Sequence, residues 1–150
     1  SSNNYLVPHT TNIQSDNSVN WYLFSRLSWE WDKKNYVVPN DPKMAEWQTS
    51  RKYYSVNENE KRPNDLMVDD FKAWKKSSFV TLYSVFSPEE DWAEQMLIMT
   101  LKKYMGIEIK FSLSENGKVI DEISPCSENP VCDLKRKLME FYIDNPSIFP

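Results

Sequence analysis

Apolar positions first take up a helical rhythm at Val19, Tyr22, Leu23, Leu27 and Trp31, which predicts a helix over 19–33 capped by Ser18 or Asn17. Residues 1–18 before it are polar and read as an extended arm, in which Tyr5, Leu6 and Val7 are the groups able to dock on the body. Pro39 and Pro42 break the pattern and make 35–42 a loop. Pro42 then suits the first position of a helix running to about residue 54, with Asp41 as its cap. Residues 55–62 read as a charged, exposed loop. A third helix follows over about 64–76, with Leu66, Met67, Asp70, Phe71 and Trp74 on the helical period. Residues 79–86 are β-prone and predict a short strand or an extended buried segment.

The clearest element starts at Ser87-Pro88-Glu89-Glu90. Ser87 caps, Pro88 fits the first turn, and Glu90 completes a capping box. This helix should run to Met105, where Gly106 supplies the left-handed residue that ends it. Glu115-Asn116-Gly117 is a hairpin turn signal joining a strand over 107–113 to one over 118–123. The first of these arms alternates apolar and polar residues as a half-buried strand does. A last helix over 131–143 presents Leu134, Leu138, Phe141 and Tyr142 as its apolar stripe. The pattern as a whole predicts an α+β fold: a single, mainly α-helical domain over 19–150 with one β-hairpin at about 107–123.

Composition supports a real core. The chain has 150 residues, of which 40% are hydrophobic and 14% aromatic, enough apolar surface for one folded domain. A net charge of −4 gives no basic face for nucleic acid. No run approaches the length of a transmembrane helix, and no signal peptide is visible, which fits a mature form.

The two cysteines, Cys126 and Cys132, flank Asn129-Pro130, a turn-former that brings them together. A disulfide is the preferred reading and two free thiols the alternative; zinc knuckle spacing is lacking. A structural disulfide implies the periplasm, the cell surface or secretion. The polar start, Ser1-Ser2-Asn3-Asn4, also fits the tether of a bacterial lipoprotein.

Candidate chemistry is sparse. With two glycines there is no phosphate-cradling loop and no nucleophile elbow. The one histidine, His9, lies in the polar arm and reads as solvated, because a single histidine cannot build a histidine-based zinc site. Asp91 and Glu94 share a helix face that continues with Ile98, Leu101 and Met105. A carboxylate that begins an apolar stripe points inward and then needs a charge partner, a metal or a proton. The helix dipole alone accounts for the acidic first turn, though less well for Glu94. Most tryptophans are expected in the core. Trp29 falls off the apolar stripe and is the candidate for an exposed platform that stacks on a sugar ring.

The stretch Phe79-Val80-Thr81-Leu82-Tyr83-Ser84-Val85-Phe86-Ser87-Pro88-Glu89-Glu90-Asp91-Trp92-Ala93-Glu94 resembles a segment of exported bacterial zinc-binding metallopeptidases of the gluzincin type. The closing helix from Asp133 to Tyr142 looks like that family's terminal segment. The resemblance implies that Glu94 occupies the third zinc-ligand position, with Asp91 as its supporting group. The family's His-Glu-x-x-His helix, which supplies two ligands and the general base, has no counterpart here. Two accounts follow: the chain is the C-terminal part of a longer zinc peptidase, or its domain has lost the metal. Either way the expectation is a metallopeptidase-like exported domain without catalysis of its own, and without a cofactor unless an upstream motif brings zinc. The alternative is a non-enzymatic envelope or secreted protein that binds a protein, a peptide or a glycan.

Overall fold

The computed structural model describes residues 16–31, 37–50 and 64–145, with side chains described for 22–30, 37–49 and 65–145. Within these residues the fold is mainly helical α+β. Most of the polar arm, His9 and the 55–62 loop lie outside the described residues, as do the side chains of Trp21 and Trp31.

Helix α1 spans Asp16–Ser28, so it begins earlier and ends earlier than its apolar rhythm predicts. It stops because Asn40 takes its terminal carbonyls. The Asn40 backbone N–H donates to Ser28 O at 2.9 Å and its Nδ2 to Leu27 O at 3.2 Å. The chain leaves the helix as strand β1, Trp29–Trp31, antiparallel to β2, Val37–Pro39. This small strand pair is additional to the predicted hairpin, and it carries Trp29 inward.

Helix α2, Pro42–Ser50, is capped by the Asp41 carboxylate, whose Oδ1 accepts from Lys43 N at 2.9 Å. A short 3-10 turn, Asn64–Leu66, leads into α3, Met67–Lys75, which buries Phe71 and Trp74. The β-prone segment that follows is buried but forms no strand. Its polar groups close on themselves: Ser84 N donates to Thr81 Oγ1 at 2.9 Å, and Thr81 N to Ser84 Oγ at 3.3 Å. Such local side-chain bonds compete with a sheet ladder, and the segment ends as a 3-10 turn, Tyr83–Val85. Two indoles hold it in place: Trp74 Nε1 donates to Phe79 O at 2.9 Å, and Trp47 Nε1 to Leu82 O at 3.2 Å.

Helix α4, Pro88–Met105, has the predicted ends. Ser87 Oγ accepts from Glu90 N, and Gly106 terminates the helix at φ 65°. The hairpin pairs β3, Phe111–Glu115, with β4, Lys118–Ile123, around Asn116 and Gly117 at φ 51° and 78°. Its first strand is shorter than predicted, because residues 107–110 have no strand partner. Cys126 and Cys132 lie at disulfide distance, with Cα atoms 5.6 Å apart.

Helix α5, Val131–Asp144, buries Tyr142 of the expected stripe but is otherwise turned to another face. Cys132, Lys135, Met139 and Tyr142 point inward, whereas Leu134 and Phe141 are 49% and 47% exposed. The main core gathers Trp29, Met44, Trp47, Phe71, Trp74 and Phe79 with Val85, Leu113 and Ile123. A smaller cluster joins Val80 and the cysteines, with Ile98 packed against it.

Candidate functional site

The most unusual feature of the interior is a sealed ion pair. Lys135 Nζ lies 2.7 and 2.8 Å from the two carboxylate oxygens of Asp91, and both side chains are fully buried. Lys135 also donates to Ser78 O at 2.7 Å and to Ser28 Oγ at 3.1 Å, while the two serine hydroxyls bond each other at 2.7 Å. The Trp29 indole N–H completes the set, donating to Asp91 Oδ2 at 3.1 Å. The rings of Phe24 and Phe79 lie 5.1 and 5.0 Å from the ammonium. Thus α1, β1, the 77–86 segment, α4 and α5 all meet at one charge.

Burial pushes the Asp91 carboxyl up and the Lys135 amine down, and their mutual attraction and hydrogen bonds oppose both shifts. A serine hydroxyl beside a lysine amine is the arrangement of a serine–lysine nucleophile. That chemistry requires a neutral amine and a serine that substrate can reach. Here Asp91 occupies the amine, and Ser28 is sealed from solvent. The geometry is that of a structural clamp.

Asp91, which the helix dipole alone was expected to explain, points inward, and its partner is a lysine. Glu94 is only partly buried, because the inward face of α4 runs Pro88, Asp91, Gln95. Met105, expected on the inward stripe, is 66% exposed. The gluzincin resemblance implies Asp91 as the group that supports Glu94 in a zinc site. Both oxygens of Asp91 are committed to Lys135. Among the described residues no three His, Cys, Asp or Glu side chains converge on a point. Trp29, expected at the surface, is 1% exposed, because the helix ends at Ser28, just before it, and the strand turns its indole onto Asp91.

Beside the clamp lies a groove of about 420 Å³, within the range of ligand sites. Gln95, Ile98, Met99 and Lys102 of α4 line it. One wall is Ile107, Glu108 and Ile109; the other is the disulfide segment through Ser124, Pro125 and Ser127. Arg136 closes one side and donates to Cys126 O at 3.1 Å, which ties the loop to α5. Gln95, one turn from Asp91, is 2% exposed, and its Oε1 has no hydrogen-bond partner. A buried acceptor left unpaired costs about 1–3 kcal/mol.

Sequence reasoning missed Lys135, Gln95, Ser28 and Ser78. A signal for Lys135 was present: it interrupts the otherwise apolar row Cys132, Met139, Tyr142 at helical spacing. Gln95 offers no such signal, since an unpaired amide is visible only after packing. Comparison of the chain with family models, curated proteins and solved structures found no match in any of the three. Among the described residues no helix is long and apolar enough to cross a membrane.

Proposed function

We propose that this chain is a non-enzymatic binding domain of an exported protein, of the periplasm, the cell surface or the secreted fraction, and that the groove beside α4 takes its ligand. The observation that carries this reading is Gln95, a residue that lines a cavity of ligand size and whose buried Oε1 has no hydrogen-bond partner. Natural interiors satisfy nearly all such groups. A ligand that brings a hydrogen-bond donor would satisfy this one. The cysteine pair supports the choice of compartment, since a disulfide persists in oxidising surroundings. On this reading the metallopeptidase resemblance is one of frame, and the pairing of Asp91 with Lys135 is in keeping with it.

The test uses N-methylisovaleramide, which carries one amide hydrogen and a branched alkyl tail, titrated into labelled protein by NMR. Saturable shifts of the Gln95 side-chain amide and the Ile98 methyls are expected, in the millimolar range for so small a probe. Gln95→Met should abolish them while stabilising the free protein by about 1 kcal/mol, because the orphan acceptor is gone. Shifts that stay linear, or that persist in the methionine variant, would overturn the reading. Elemental analysis gives an independent check: stoichiometric zinc that disappears in Glu94→Ala would restore the metallopeptidase reading instead.

A further inference from the structure

The charged groups that line the groove cancel in pairs. Lys102 Nζ lies 3.7 Å from Glu108 Oε1, and both residues are part of the lining. Arg136 gives Nη2 to Asp133, three residues before it on α5, and Nη1 to the Cys126 carbonyl at 3.1 Å. Two cations thus face two carboxylates, and the lining presents no net charge. A charged ligand would enter without a counter-ion, and would have to break one of these pairs or give up its hydration uncompensated. Most of the remaining lining is aliphatic: Val80, Ile98, Met99, Ile107, Ile109 and Pro125. None of the described lining residues is aromatic, so the groove offers no ring face for a sugar. Trp29, the indole expected to serve as a sugar platform, is bonded to Asp91 inside the clamp.

Resting on the groove as the binding site, we infer that its ligand is an uncharged aliphatic molecule carrying a neutral N–H or O–H donor, and neither an ion nor a sugar. Three observations select that chemistry. The pairing of Lys102 with Glu108 and of Arg136 with Asp133 removes the electrostatic reason for a charged group of either sign to enter. Gln95 is the lining residue whose buried acceptor lacks a partner, and a neutral donor meets it without bringing a charge out of water. The isoleucines and Val80 match a branched alkyl body, and the unbranched thioether of Met99 adjusts to its outline. A groove of about 420 Å³ gives such a body room. An ammonium ion brings the donor but adds a charge. A carboxylate adds a charge and brings no donor.

The experiment compares probes that share one branched alkyl group and differ in charge. N-methylisovaleramide, isovalerate and 3-methylbutylammonium are titrated into the intact chain, with methyl glucoside as the sugar, and the Gln95 side-chain amide and Ile98 methyls are followed by NMR. The neutral amide should saturate these shifts, the anion and the cation should bind about tenfold or more weakly, and the glucoside should leave them unmoved. Glu108→Gln, which releases Lys102, should narrow the gap between isovalerate and the amide by about threefold. If the amide saturates and either charged probe binds equally well, the inference is overturned and the groove reading stands. Saturation by the glucoside, or a gap that Glu108→Gln leaves unchanged, overturns it as well. If no probe saturates, both readings fall together.

Discussion

An ammonium group removed from water without a partner would forfeit several kcal/mol. Lys135 avoids this by directing its hydrogens at Asp91, Ser28 and the Ser78 carbonyl. Asp91 in turn accepts from both Lys135 and Trp29. The pair stands or falls as a unit. Lys135→Met should cost about 3–5 kcal/mol, because it strands a buried carboxylate, and Asp91→Asn should cost a similar amount. The double change Asp91→Leu with Lys135→Met should retain more stability than either single variant, since no charge is left inside. Urea unfolding with the slope checked for two-state behaviour measures all three. Single variants that lose less than about 1 kcal/mol would show that the pair is hydrated in solution. Gln95, one turn along the same helix, is the opposite case: a polar group with space beside it and no partner.

At the level of elements, local chemistry accounts for the helix ends. Ser87 Oγ satisfies an amide in the first turn of α4, and Ser87→Ala should cost about 1 kcal/mol in thermal or urea unfolding. The cysteine loop closes a span of 6 residues. Loop-closure entropy then assigns it about 2 kcal/mol, lost in the Cys126→Ala, Cys132→Ala double variant. That variant should also loosen the groove wall, which hydrogen exchange at Ser127 and Ser124 would report. The β-prone stretch near residue 80 is where local propensity yielded. Thr81 and Ser84 satisfy each other, and two tryptophans hold the neighbouring carbonyls, so no strand partner is required.

For the whole molecule, the hairpin is tied to α3 by Lys75 Nζ and Asp121 Oδ1 at 2.8 Å. The hydrogen bond from Lys75 holds Asp121 below its usual 3.8, and Asp121 holds Lys75 above 10.5. Lys72 and Glu128 add smaller contributions of the same sign. A depressed carboxyl contributes stability above its usual value and loses it as pH falls through the lower folded value. A raised lysine contributes fully below 10.5 and loses that contribution as pH rises past its folded value. Asp121→Asn should therefore flatten the acid limb of stability below about pH 4, and Lys75→Met the alkaline limb above about pH 10.5. A pH–stability profile unchanged by either variant would mean the contact is not maintained in solution.

The sequence by itself determined the features that depend on near neighbours. Ser87 and Gly106 bound α4, Asp41 caps α2, Asn116-Gly117 turns the hairpin, and Cys126 lies close enough to meet Cys132. Each rests on backbone geometry within a few residues, which composition and spacing encode directly. Tertiary structure alone decided which face of α5 turns inward. The apolar row through Leu134 and Phe141 was the stronger local pattern, but Lys135 could be buried once Asp91 waited 44 positions away. It also decided the place of Trp29, whose indole needed a carboxylate 62 positions on. The same is true of the groove, since whether the Gln95 Oε1 finds a partner depends on every neighbouring element at once. Hydrogen bonding across the core is a property of the packed arrangement, and no window along the chain contains it.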